Sequence, residues 1–323
     1  MCTAISFNAN KHYFGRNLDL EKRFGEKVVI TPRDYQFNFK FEDVLKKHNA
    51  IIGMAMVCDN YPLYFDATNE MGLSIAGLNF VGNAYLGDFV EGKINLAPYE
   101  LIPFLLGKYG SVAECVEVLQ KINLVDVRFN SNLQNAELHW IIADENECVV
   151  LENMKDGMKI HKNPIGVLTN NPPFDYQMMN LNNYMALSNL EPKNNLAPQI
   201  EFEKYSRGMG AIGLPGDFSS VSRFVRASFA VLNSVVSKNE IENVTHFFHI
   251  LDYVSQIDGC VKIGDKFERT QYSSCCDSEE GIYYFKTYEN SRISSVKINS
   301  EVLDSNELIC YELPCFQQIS NMN

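Results

Sequence analysis

The opening MCTAISF places Cys2 directly after Met1. A small second residue permits excision of the initiator methionine, and Cys2 then carries a free α-amine beside its thiol. Unperturbed, the amine titrates near ~8 and the thiol near ~8.5, so one group can take the proton of the other close to neutral pH. Shortly afterwards FGRNLDL supplies Arg16 and Asp19. This stretch reads as the turn that returns a second strand antiparallel to the first, which would bring a cation and a carboxylate to the chain start. Arg16 would favour a thiolate and Asp19 would hold and orient the amine, the two tasks an N-terminal nucleophile needs done. A buried cysteine in a first strand and a surface Arg–Asp ion pair are the alternatives these residues alone leave open.

Other motifs carry less chemistry. GMGAIG, from Gly208 to Gly213, matches G-x-G-x-x-G literally, but it follows a polar loop rather than a strand and runs into Leu214-Pro215-Gly216. It cannot open a helix that would hold a pyrophosphate. His246 and His249 lie one helical turn apart, with no third ligand at a diagnostic spacing, so packing or capping is the expectation and no metal site or cofactor is implied.

The chain has 323 residues, 46% hydrophobic and 21% charged, enough to bury a large core. A net charge of −12 argues against nucleic acid as a partner. Nine cysteines without a C-x-x-C pair read as reduced thiols in a cytoplasm. Neither a signal peptide nor a run of about 18 apolar residues is evident, so secretion and membrane insertion are not expected.

The elements that must position Cys2 follow from pattern. The first 80 residues read as short strands, TAISF, HYFG, KVVITP, IIGMAMV, LYFD and LSIAGLNF, separated by turn residues. APYELIPFLLGKYG and SVAECVEVLQKI read as two helices, the second opened by a Ser111/Glu114 capping box. Strands return in ELHWIIAD, CVVLENM, KDGMKIH and IGVLTN. Helices are expected from Phe174 to Leu187, from Val221 to Lys238, and from Ile241 to Ile257 behind an Asn239/Glu242 capping box. TQYSSCC, GIYYFKTYE and ISSVKI close the chain as strands. Strands in runs followed by helices in runs predict an α+β layered fold. The segment from Asn189 to Arg207 reads as a long surface loop, with the strands on either side in one sheet system and a single domain over 1–323.

MCTAISF, FGRNLD, GLNF, NLAPYELIPFLL, VLTNNPPFDYQ, GLPGDFSSVSRFVR and TQYSSCCDSEEGIYYFKTYEN resemble, in order and spacing, the choloylglycine hydrolase family of bile salt hydrolases and penicillin V acylases. The resemblance spans practically the whole chain and implies an N-terminal nucleophile hydrolase with an αββα four-layer sandwich of antiparallel sheets. It matches Cys2 to the nucleophile, Arg16 and Asp19 to its neighbours, Asn79 and Asn170 to the oxyanion region, and Arg223 to the remaining active-site arginine. Leu18, Phe65, Phe129 and Leu133, placed by their nearness to the matching blocks, are the expected apolar walls of a substrate pocket. GLNF with Asn79 resembles the bile salt hydrolase branch, so the implied partners are glycine- and taurine-conjugated bile salts, cleaved through a Cys2 thioester that an amine could also capture. A homotetramer is implied as well. The competing readings are a penicillin V or N-acyl-homoserine-lactone acylase using the same residues, and a catalytically silent bile-salt-binding protein.

Overall fold

A computed structural model describes residues 1–323. In chain order the elements are β1 (Cys2–Asn8), β2 (His12–Leu20), β3 (Lys27–Thr31), β4 (Ile51–Cys58), β5 (Tyr61–Asn69), β6 (Ser74–Asn79), β7 (Ile94–Leu96), α1 (Leu101–Lys108), α2 (Val112–Leu119), β8 (Ile122–Leu124), β9 (Leu138–Ala143), β10 (Cys148–Met154), β11 (Gly157–Lys162) and β12 (Val167–Leu168). They continue with α3 (Phe174–Leu181), α4 (Ser220–Leu232), α5 (Glu240–Asp252), β13 (Val261–Ile263), β14 (Lys266–Asp277), β15 (Ile282–Thr287), β16 (Ser294–Lys297) and β17 (Ile309–Glu312). One sheet is ordered β12-β1-β2-β14-β15-β16 with β13 on the edge of β14, the other β11-β10-β9-β6-β5-β4-β3-β17. Every pairing within these two sheets is antiparallel; only the small β7-β8 pair is parallel.

Three apolar clusters explain why the sheets stack. Alternate residues of β1 and β2 (Cys2, Ala4, Phe14, Leu18) meet Ile52, Met54, Ala76 and Leu78 of the second sheet in a shared inner core. The opposite face of β1, Ile5 and Phe7, packs under Val244, Phe247 and Leu251 of α5. The outer face of the second sheet, including Ile75 and Ile142, is covered by Leu101, Leu105, Val112 and Leu119 of α1 and α2. Since a strand points successive side chains to opposite faces, strands buried on both sides lose the polar alternation of an exposed sheet. The result is the αββα order of layers.

Several local expectations are corrected. Arg16 and Asp19 are not in a turn: β2 runs unbroken through both, and the reversal lies at Ala9 to Lys11. Ladder partners on β1 and β14 carry the strand past HYFG, where the sequence pattern ended it. Gly15 is there because a side chain would overlap the Ser274 carbonyl of β14. Asn239 caps α5 by accepting from Ile241 N–H at 2.9 Å, but Glu242 does not return to Asn239. It accepts instead from Ser237, whose hydroxyl takes the Asn239 N–H at 3.0 Å. The third and fourth helices are also shorter than their patterns, because Asn182 to Tyr184 tightens into a 3₁₀ turn and α4 stops at Leu232. Of the strands before the segment 189–207, β12 lies in the same sheet as β14 to β16, as expected, whereas β10 and β11 lie in the other.

At the start of β2, His12 is buried with Nε2 2.9 Å from the Ser6 hydroxyl and Nδ1 2.8 Å from the Ser278 hydroxyl. Burial pushes its pKa down to about 4, against the opposing pull of Asp144 and Asp277. The unfolded chain therefore binds more protons between pH 6.5 and 4, and the folded state loses stability as pH falls through that window. Urea titrations across it should show a loss on the order of 3 kcal/mol that His12→Gln flattens; equal slopes in both proteins would remove His12 as the cause.

Candidate active site

β1 pairs with β2 so that Cys2 lies opposite Leu18, which sets the neighbours of the sulfur and of the backbone nitrogen separately. Arg16 and Leu18 share the inner face with Cys2, whereas Asp19, one position further, faces the other way. Cys2 is 2% exposed, and its N–H donates to Asn170 Oδ1 at 2.6 Å. The Met1 carbonyl accepts from Asp19 N–H at 2.9 Å, and the Met1 amine donates to the Asp19 carbonyl at 2.6 Å and pairs with the buried Glu268 carboxylate. Sequence reasoning missed Glu268, because nothing in FER at the start of β14 marks it as facing the chain terminus.

Asp19 Oδ1 accepts from the Thr270 hydroxyl at 2.6 Å, while Oδ2 is buried with no hydrogen-bond partner. Burial raises the carboxyl pKa above its ordinary range, opposed by Arg223, the terminal ammonium, the Thr270 bond and Arg16. Arg16 is wholly buried where β5 and β6 part. Their ladder is registered only as far as Asp66 opposite Ala76, and Arg16 Nη1 takes the next carbonyls, Phe65 O at 3.0 Å and Gly77 O at 2.5 Å. Burial works against its charge, but the neighbouring Cys2, Tyr272, Asp66 and Asp19 outweigh that and raise its pKa.

Asn170 follows the short strand β12 and is oriented by its partners. Its Oδ1 faces two donors, Cys2 N–H and Arg223 Nη2, the latter at 2.9 Å, which leaves Nδ2 to donate to the Asn79 carbonyl at 2.8 Å. Arg223 Nη1 also reaches the Cys2 carbonyl and the Thr3 hydroxyl, so one guanidinium joins α4, β1 and the Asn170 turn. Phe80 N–H donates to Glu137 O at 2.7 Å, so alternation along β6 turns the Asn79 N–H away from β9, to the side where β5 has separated.

That separation opens a cavity of about 270 Å³ lined by 21 residues, 15 of them hydrophobic. Cys2, Arg16 and Asn79 lie in its wall together with Leu18, Phe65, Phe129 and Leu133. Asp19, Asn170 and Arg223 are not part of the wall; Asn170 and Arg223 hold the Cys2 N–H and carbonyl from behind, while Asp19 pairs through its backbone with Met1. The wall also contains Phe24, Leu63, Tyr99 and Leu138, which sequence reasoning did not single out. Their apolar character is indistinguishable in sequence from core packing. His246, by contrast, has Nε2 2.8 Å from the Ser234 hydroxyl, and all nine cysteines are free.

A family model described as "Linear amide C-N hydrolases, choloylglycine hydrolase family" matches residues 2–311. The chain belongs to the choloylglycine hydrolase family. It is accordingly a hydrolase acting on linear amide C–N bonds. A bile salt hydrolase/transferase of Lactiplantibacillus plantarum is 52% identical over 314 residues, covering 97% of each chain. Another bile salt hydrolase/transferase, from Clostridium perfringens, is 37% identical, covering 100% of each chain. The crystal structure of a mutant conjugated bile acid hydrolase from Clostridium perfringens superposes with a TM-score of 0.93 at 35% identity, covering 100% of both chains. A penicillin V acylase from Agrobacterium tumefaciens shares the fold, with a TM-score of 0.74 at 21% identity over 95% of this chain and 90% of its own.

Thr270 supplies the only side-chain bond to the choloylglycine hydrolase-like Asp19 carboxyl, so Thr270→Val should destabilise the folded chain by about 1.5–3 kcal/mol. Chemical denaturation measures this, and a change below about 0.5 kcal/mol would show that the bond is dispensable.

Proposed function

We propose that this enzyme hydrolyses the amide bond of glycine- and taurine-conjugated bile salts, with Cys2 as nucleophile once Met1 is removed. The observation that carries the reading is the apolar cavity that has the Cys2 thiol and the buried Arg16 in its wall. A rigid apolar acyl group placed there has its carbonyl at the sulfur, and the relatives named above are, by their names, bile salt hydrolase/transferases and a conjugated bile acid hydrolase. Fold alone would not support a substrate, since the same layers serve the penicillin V acylase.

The steps follow from the groups around the sulfur. Loss of Met1 converts the Cys2 amide nitrogen into an amine that stays on Asn170 Oδ1 and can turn hydrogen toward the unpartnered Asp19 Oδ2. The amine takes the thiol proton as the sulfur attacks the amide carbon, and the free Arg16 Nη2 favours the anionic sulfur. The developing oxyanion is met by the Asn79 N–H and the second hydrogen of Asn170 Nδ2, the first being held by the Asn79 carbonyl. The amine returns its proton to the departing nitrogen, the C–N bond breaks, and a thioester remains on Cys2. Water, deprotonated by the same amine, attacks that carbonyl and restores the thiol. A second amine in place of water would give acyl transfer.

Free cysteines throughout the chain fit residence in a reducing cytoplasm. The exposed apolar side chains Met185, Leu196, Phe202 and Tyr205 on the long arm between α3 and α4 support assembly into a homotetramer, which light scattering would measure.

On protein whose intact mass confirms loss of Met1, kcat/KM for glycocholate should exceed that for penicillin V. A ratio below one would move the substrate assignment to the acylase branch, and turnover of neither would favour a silent binding protein. Cys2→Ser should abolish hydrolysis while bile salt binding, followed by calorimetry, persists; Asn170→Ala should lower kcat by ~10²–10³. A wild-type rate in either variant would take that residue out of the mechanism.

A further inference from the structure

The two proposed oxyanion donors belong to different segments, Asn79 at the end of β6 and Asn170 in the turn between β12 and α3. β12 is two residues long and is registered only with β1, so no ladder fixes the turn relative to β6. The turn reaches the end of β6 through Asn170 Nδ2 on the Asn79 carbonyl and Asn171 Nδ2 on the Val81 carbonyl, and a third side chain, from neither segment, touches both. His139 of β9 has Nε2 2.8 Å from the carbonyl of Thr169, the residue before Asn170. Its ring stacks on Phe80, the residue after Asn79, with centroids 4.3 Å apart and planes 5° from parallel. The other nitrogen, Nδ1, is 3.2 Å from Glu152 Oε1 across the β9-β10 pair. Glu152 Oε1 also accepts from the N–H of Phe174, where the same turn enters α3, at 2.9 Å.

His139 and Glu152 are both fully buried. A backbone carbonyl only accepts hydrogen bonds, and so does an ionised carboxylate. Burial acts to raise the Glu152 pKa, yet His139 and His161, with the Phe174 N–H, bring it down to about 2. Each nitrogen of His139 faces an oxygen, the Thr169 carbonyl on one side and the Glu152 carboxylate on the other. Phe80 covers one face of the ring. His161, partly exposed, lies with Nε2 3.4 Å from Glu152 Oε2 without a hydrogen bond between them.

We propose that His139, held between the Thr169 carbonyl and Glu152 and stacked on Phe80, is a positioning residue that fixes the separation between the Asn79 and Asn170 donors. The proposal rests on the oxyanion reading given above. It accounts for two buried polar side chains outside the cavity wall, a costly feature for stability alone when hydrophobic residues could fill the space.

The test is kinetic, on the processed enzyme. His139→Gln and Glu152→Gln should each lower kcat by up to ~10²-fold with KM little changed, the scale of a misplacement near 1 Å. The double variant Glu152→Gln/Asn170→Ala should be no slower than Asn170→Ala, because the positioning would have lost its target. Additive losses, or wild-type kcat in Glu152→Gln when Asn170→Ala is slow, overturn the positioning role alone; wild-type kcat in Asn170→Ala overturns the oxyanion reading. If Glu152→Gln does not fold, Phe80→Leu takes its place: kcat should fall with KM little changed, and an unchanged kcat overturns the proposal.

Discussion

Two guanidinium groups are buried completely on either side of Cys2, and much of the surrounding architecture is what their charge requires. Removing a cation from water costs several kcal/mol unless acceptors replace the lost hydration. Arg16 finds them in the carbonyls of Asn17, Phe65 and Gly77, and Arg223 in those of Phe218 and Cys2 together with Thr3 Oγ1 and Asn170 Oδ1. Two of the carbonyls given to Arg16, Phe65 and Gly77, are those the β5-β6 ladder would otherwise have used. Satisfying one buried charge thus splits two strands, and the split is where the apolar cavity reaches the thiol.

The opposing charge is set back from the chemistry. Asp66 on β5 accepts from the hydroxyls of Tyr272, Tyr283 and Ser274, bridging the two sheets, and Ser274 Oγ in turn receives the Arg16 N–H at 3.1 Å. Its carboxyl is raised in pKa by burial, against the pull of Arg16 and the three hydroxyls. Because Asp66 makes no direct ion pair with the guanidinium, Arg16 Nη2 is left without a partner beside Cys2. The polar network therefore serves both cohesion between sheets and the availability of one donor at the nucleophile.

The pattern of strand runs and helix runs made the layered class legible, since periodicity is a local property of each segment. Ser111 and Glu114 cap α2 as their spacing indicates. Local pattern failed at Arg16 to Asp19, read as a turn but kept in β2 by pairing on both edges, and at Glu242, which found Ser237 before it could reach Asn239. Tertiary pairing outweighed propensity in the first case and a nearer hydroxyl won in the second.

Cys2, Arg16 and Asp19 announce an N-terminal nucleophile by residue type and position, and the order of the motif blocks carries the family. What sequence could not decide is facing. Arg16 and Asp19 differ by an odd number of residues, so only a continuous strand sends one to the sulfur and the other to the nitrogen. Likewise Phe24, Tyr99, Glu268, His139 and Glu152 acquire their places from strand register and from the parting of β5 and β6, long-range geometry that composition and spacing do not encode.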